Sequence, residues 1–230
     1  MVLDENTVNI ILNAVHVAKL FSIESFIIEP NIIRGINEDR TAAILTECDI
    51  NIGCKSIGIN RMDVLLSRLN LVSNDAIIEC HTKSEDMDAD KISITTDRLN
   101  LEYSCANTLA IKAPTSAKVN DLFEVSIEES LVNILKKGRN AMKTDVIMIM
   151  CDNNSVQYKL QDENNDKLLY NEGFAYNLVD NSDINFVYKY PIKSILSAFT
   201  DCDAKKFYIT ERGMIKINTK GIDLYIPQKS

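Results

Sequence analysis

Few residues in this 230-residue chain combine the type and the spacing that chemistry needs. It has two histidines, His16 and His81, and it lacks the G-x-x-x-x-G-K-[ST] phosphate loop, the G-x-G-x-x-G dinucleotide turn and the nucleophile elbow of the hydrolases. Asp86, Asp88 and Asp90 alternate as ligands of a hard cation do. The run has no glycine for a tight turn and no bidentate glutamate, so it reads as a solvated hairpin tip. The acidic stretches at 152–154 and 162–166 read the same way. Six cysteines (Cys48, Cys54, Cys80, Cys105, Cys151, Cys202) show neither a C-x-x-C pair nor disulfide-framework spacing, which predicts free thiols in a reducing compartment. No catalytic residue, metal site or cofactor is expected. What remains is a concentration of cations, Lys136, Lys137, Arg139 and Lys143 with Asn140 among them, and the chemistry it offers is the binding of an anion.

Those cations need an element to hold them on one side. Residues 126–143, SIEESLVNILKKGRNAMK, have the period of an amphipathic helix. Leu131, Ile134, Leu135 and Met142 share the face predicted to meet a core. Lys136, Arg139, Asn140 and Lys143 share another, with Lys137 between the two. Ser126 and Glu129 have the spacing of a capping box, and Glu128 and Glu129 complement the positive end of the helix dipole. A basic helix face stands out because the chain as a whole carries a formal charge of −8. That balance argues against a general nucleic-acid coat or a basic membrane-surface protein, while confining an anionic ligand to one place. With 46% hydrophobic and 25% charged residues, a soluble globular protein with a full core is expected. The N-terminus lacks the marks of a signal peptide and no apolar run is long enough to span a bilayer, so a cytoplasmic location without membrane contact is expected.

Along the chain, helices are predicted at 7–21, 60–72, 126–143 and 190–199, the second opened by Asn60 as its cap and the fourth by Pro191 in its first turn. Strands are predicted at 25–28, 32–36, 42–49, 55–59, 76–82, 91–96 and 99–105, with a turn at 73–75. After the second long helix they follow at 145–150, 156–161, 167–171, 175–179, 185–188, 206–210, 214–218 and 223–226, preceded by one at 122–125. Residues 107–120 lose periodicity and read as a linker, dividing the chain into 1–106 and 121–230. Each half carries a long helix, strands, a short helix and three more strands. The long helices start about 119 residues apart and the short ones about 130, a duplication of pattern without residue identity. The fold class expected is α+β, two similar domains, each with two helices packed on antiparallel sheet.

The block SIGINRMDVLLSRLNLVSNDAII at 56–78 resembles the strand–helix–turn–strand of DNA polymerase sliding clamps, most closely those of T-even-like bacteriophages. FEVSIEESLVNILKKGRNAMKTDVIMI at 123–149 resembles the start of that clamp's second domain. Chain length and helix spacing agree throughout. The resemblance implies a PCNA-like processivity factor: a homotrimeric ring of two-domain subunits with helices lining the hole and sheets outside. Such a ring encircles duplex DNA irrespective of sequence, tethers the DNA polymerase and is opened by an ATP-dependent clamp loader. It implies that Lys136, Lys137, Arg139, Asn140 and Lys143 face DNA from the third helix, Arg61 and Arg68 from the second and Lys193 from the fourth. His16 and Lys19, the only basic residues of the first helix, would do so there. It also implies a partner-peptide slot between Leu109 and Ile111 of the connector and Leu224, Tyr225, Ile226 and Pro227 near the C-terminus. A subunit contact would join the strand at 99–105 to an edge strand at 173–179. A clamp-fold scaffold, a subunit of a mixed ring and a monomeric viral processivity factor remain open beside the homotrimer. The last of these would be expected to be strongly basic.

Overall fold

The computed structural model describes residues 1–71, 76–115, 119–179, 184–202 and 204–229. The predicted turn at 73–75 lies outside them. The chain divides into two compact units, one carrying the elements up to residue 115 and the other those from residue 119 onward.

The first unit opens with α1 (Glu5–Leu20), whose N-cap Asp4 accepts a 2.7 Å hydrogen bond from the Thr7 backbone N–H. That bond holds the Asp4 carboxyl below its usual pKa. Ile11, Ala14, Val15, Val17 and Ala18 bury one side of the helix. Strands β1 (Phe26–Glu29), β2 (Ile32–Ile36), β3 (Ala43–Glu47) and β4 (Ile57–Ile59) pair antiparallel in the order β3-β2-β1-β4. Helix α2 (Met62–Asn70) packs against α1 and against β7 (Asn100–Ser104), the last strand of the meander it forms with β5 (Ile77–His81) and β6 (Lys91–Thr95). A short 3-10 turn follows at Thr108–Ala110.

Asn60 does not cap α2, as the sequence suggests it would; the cap position is Arg61, without a side-chain bond. The hydroxyl of Tyr103, a fully buried side chain on β7, accepts from the backbone N–H groups of Asn60 and Arg61 at 3.1 and 3.2 Å. The helix entrance is thus fastened by a residue some forty positions away, a tertiary contact that local spacing does not encode.

The second unit repeats the order of elements. Strand β8 (Asp121–Ser126) leads into α3 (Glu129–Met142), then β9 (Val146–Asp152), β10 (Ser155–Gln161), β11 (Lys167–Asn177) and β12 (Phe186–Pro191). Helix α4 (Ile192–Asp201) and strands β13 (Lys206–Thr210), β14 (Ile215–Thr219) and β15 (Ile222–Ile226) complete it. The sheet order is β12-β9-β10-β11-β8-β13-β14-β15. Where this unit begins with β8, the first has only a single antiparallel bridge from Val2 to Glu79. Both units therefore carry two helices on antiparallel sheet, the α+β class expected.

Two predictions for this unit fail. The Ser126–Glu129 capping box is absent: the ladder with β13 pairs Ser126 with Lys206 and keeps it extended, so α3 starts at Glu129 with no side-chain cap. The strands predicted at 167–171 and 175–179 are one 11-residue strand, β11, because Gly173 adopts φ 106° at the register shift opposite Ser155–Gln157. A glycine there lets the strand bulge and continue where a break was expected.

Candidate functional site

Helix α3 lies on the sheet face that carries the buried side chains Ile147, Ile149, Tyr158 and Leu160, and packs beside α4. Leu131 and Leu135 are buried as the periodicity predicts. The third buried position is Gly138, which the hydrophobic pattern does not reveal. A Cβ added there would stand 2.8 Å from Leu160 Cδ1 and 3.2 Å from Leu168 Cδ1, inside ordinary carbon–carbon contact. The missing side chain lets α3 seat closely on β10 and β11, which fixes the opposite side of the helix toward solvent.

That opposite side presents Lys136, Lys137, Asn140 and Lys143, all exposed. Arg139 is half-buried and its guanidinium stands 4.0 Å from Asp145, so it is the least available of the group. Lys143 ends the helix in the left-handed region, at φ 46° and ψ 38°, where an L-residue other than Asn or Asp is uncommon. On α4, Lys193 is exposed while Ile192, Ile195, Leu196, Ala198 and Phe199 are buried. Within the second unit, the face of this helix pair that looks away from the sheet is therefore cationic.

The first unit is arranged differently. His16 is exposed, and Lys19, also exposed, is ion-paired to Asp63 in the first turn of α2. Arg61 stacks over the Tyr103 ring, 5.3 Å from its centroid, and donates to the Ser104 carbonyl at 2.9 Å. Arg68 donates to the Glu102 carbonyl. Leu99 and Cys105 bond toward Thr96 and Asp90 on the β6 side, so by alternation the Glu102 and Ser104 carbonyls point to the other edge of β7. Both arginines thus cover polar groups on the open edge of a terminal strand, one of the ways in which edges are protected.

Of the residues expected to receive a partner peptide, Leu109 is 93% exposed and Ile111 half-buried in the first unit. In the second unit Leu224 and Ile226 are fully buried, Tyr225 is nearly so and Pro227 is half-buried. The segment expected to offer an edge at 173–179 is paired within the unit: β11 lies between β10 and β8 in strand order, with Lys167–Phe174 laddered to β10 and Ala175–Asn177 opposite Phe123–Val125. What it does expose is an apolar row, Phe174, Tyr176 and Leu178, with Val179 at its end. The alternation F-A-Y-N-L at 174–178 is a strand signal with one apolar face, and the sequence alone leaves open whether that face is inward or outward.

Of the aspartates at the 86–90 tip, Asp88 is engaged as a polar tie. Asp88 accepts from Ser56 Oγ at 2.6 Å and from the Thr108 hydroxyl. Among the described residues, no group of three or more His, Cys, Asp or Glu side chains is placed to hold a metal ion. No disulfide joins any of the six cysteines, and no helix among the described residues is long and apolar enough to cross a membrane.

No protein-family model matches the chain, and no curated protein sequence does. Solved structures do. The chain is similar to the A. fulgidus PCNA structure described with the C-terminal region of FEN-1 bound, at a TM-score of 0.64 and 9% identity, with 96% of each chain covered. It is also similar to the Proliferating Cellular Nuclear Antigen of Entamoeba histolytica, at a TM-score of 0.60 and 14% identity, covering 95% of this chain and 96% of that one. At such identities the likeness carries the fold: this chain has the fold of the PCNA sliding clamps.

Proposed function

We propose that this chain is the subunit of a sliding clamp, a homotrimeric ring that encircles duplex DNA, tethers a DNA polymerase and is placed on DNA by an ATP-dependent loader. The observation that carries the reading is the exposed cationic face of α3, Lys136, Lys137, Asn140 and Lys143, in a clamp-fold chain of net charge −8. Duplex DNA carries about one negative charge per 1.7 Å of its axis, so a few lysines on a rigid helix hold it by diffuse attraction without reading bases. A ligand held this way can slide. Acidic surface elsewhere discourages DNA from binding outside the ring.

The reading puts most of the DNA contact on the second unit, through α3 with Lys193 of α4. His16, and Lys19 through its alkyl stem and screened ammonium, contribute less from α1. Arg61 and Arg68 contribute only when released from the β7 carbonyls. The apolar row Phe174, Tyr176 and Leu178 is the surface the reading assigns to the subunit contact, with β7 as the strand that meets it. Leu109, Ile111 and Pro227 are what remains accessible for a partner's linear peptide. The likeness of the blocks at 56–78 and 123–149 to T-even-like phage clamps favours a viral source and a host-cytoplasm location within the same proposal.

The test is primer extension on primed circular DNA by the polymerase and loader from the same source. Wild-type protein should yield long products, and the variant Lys136→Glu/Lys143→Glu should yield short ones while its circular-dichroism spectrum is unchanged. Equal stimulation by wild type and variant would contradict the assignment of α3.

A further inference from the structure

The second unit's sheet has another cationic feature, on the face opposite α3 and α4. A groove of about 430 Å³ runs there, lined by Thr144, Val146, Met148, Lys159, Gln161, Asp162, Lys189 and Lys229. Its geometry follows from the register. Met148 on β9 lies directly between Lys159 on β10 and Lys189 on β12. Adjacent strands are about 4.8 Å apart, so the two ammonium stems rise roughly 10 Å from one another with a methionine between them. The chain's end adds a third cation: the Lys229 N–H donates to the Lys189 carbonyl at 2.8 Å, which brings Lys229 alongside the outer edge of β12.

The floor is apolar and accessible. Val146, Met148 and Met150 are half-exposed, and Val187, two residues before Lys189 on β12 and opposite Met150, is 61% exposed. Among the described residues none of Lys159, Lys189 and Lys229 is ion-paired. The one carboxylate in the lining, Asp162, is tied through its Oδ1 to its own loop, accepting from the Asn164 and Asp166 backbone N–H groups at 2.9 and 2.8 Å. Among the described residues, three cations without an ion-pair partner and a single aspartate surround a methionine and valine floor, on a chain of net charge −8.

We propose that this groove is a docking site for an acidic linear peptide, one in which an apolar residue is flanked by aspartates or glutamates. Charge complementarity selects the occupant: carboxylates meet Lys159, Lys189 and Lys229 while the apolar side chain settles on Met148 and Val146. Methionine suits such a surface because its unbranched thioether adapts to several apolar shapes. A duplex would present only phosphates and sugar here and leave the apolar floor without a partner, which is why a peptide is favoured over nucleic acid. The site lies on the far side of the sheet from Lys136 and Lys143, and the inference does not depend on ring assembly.

The experiment uses the full chain and a fluorescein-labelled peptide, Asp-Asp-Ile-Asp-Leu-Asp-Asp, followed by fluorescence anisotropy at low salt. Controls are the same peptide with both apolar residues replaced by serine and a labelled 20-base-pair duplex. Reversing two cations turns attraction into repulsion, so Lys159→Glu/Lys189→Glu should weaken the apolar-acidic peptide by about ten-fold or more. The serine peptide should bind about ten-fold more weakly than the parent, and Lys136→Glu/Lys143→Glu should leave the peptide affinity within about two-fold. With methyl-labelled methionine, the peptide should shift the Met148 signal. Absence of binding, equal binding of the serine peptide, equal binding to Lys159→Glu/Lys189→Glu, or a Met148 shift caused by the duplex and not by the peptide would each overturn the proposal. Loss of clamp activity with the peptide site intact would instead count only against the ring.

Discussion

Lys143 joins the stability of α3 to its charge, and replacing it separates the two. Its backbone sits at φ 46° and ψ 38° at the helix end, a conformation that costs an L-residue about 1–2 kcal/mol and a glycine almost nothing. The side chain is exposed, so little packing is lost with it. Its ammonium does favour the negative end of the helix dipole, by about 0.3–1 kcal/mol. Lys143→Gly should therefore raise the stability of the protein by about 0.5–1 kcal/mol in urea unfolding followed by circular dichroism. Lys143→Ala keeps the strain and loses the charge, so it should be no more stable than wild type. In duplex binding the two variants should behave alike, each lowering the slope of log affinity against log salt by about 0.9 relative to wild type, the share of one phosphate contact. A glycine variant no more stable than the alanine variant would refute the strain argument. A salt slope unchanged in both would remove Lys143 from the DNA face.

Three further outcomes follow from the packing. Gly138→Leu should destabilise the second unit by about 1–3 kcal/mol, since even a Cβ there stands 2.8 Å from Leu160; combining it with Leu160→Ala should recover part of the loss in the same unfolding assay. Tyr103→Phe leaves the Asn60 and Arg61 N–H groups without their acceptor and should cost about 1–2 kcal/mol, with faster amide exchange at the start of α2. Burial works to raise the Asp88 pKa, yet hydrogen bonds from Ser56 and Thr108 and the charge of Lys55 hold it below the ordinary 3.8. The folded state thus favours the carboxylate, and its contribution is full at neutral pH and lost as pH falls through the folded value. Thr108→Val should cost about 0.5–1 kcal/mol at pH 7, discounted for exposure, and the difference from wild type should shrink as the pH is lowered below 3.8 in acid-unfolding curves.

The elements that the sequence foretold best are those whose period matches their burial. Leu131 and Leu135 on α3 are buried where spacing puts them, with Ile134 and Met142 of the same face half-buried. The lysines of α3 are exposed for the same reason. What the sequence hid was set by distant partners. Ser126 has the spacing of a cap and is claimed by β13 instead. Asn60 has the type of a cap and is displaced by the Tyr103 hydroxyl. Gly173 looks like a break and is a bulge within one strand. The resemblance implies that Arg61 and Arg68 face DNA, and nothing in the sequence shows that both guanidiniums donate to carbonyls on the outer edge of β7. The sheet groove left no trace in the pattern because Lys159, Met148, Lys189 and Lys229 meet only through strand order.

The ring is tested most directly by the mass of the protein in solution, from light scattering after gel filtration at several concentrations. A species of three times the 25.9 kDa chain mass is predicted, reverting toward the single-chain mass when Phe174 and Tyr176 are both changed to Asp. A single-chain mass at every concentration would contradict a self-assembled ring and turn the search toward a second kind of subunit.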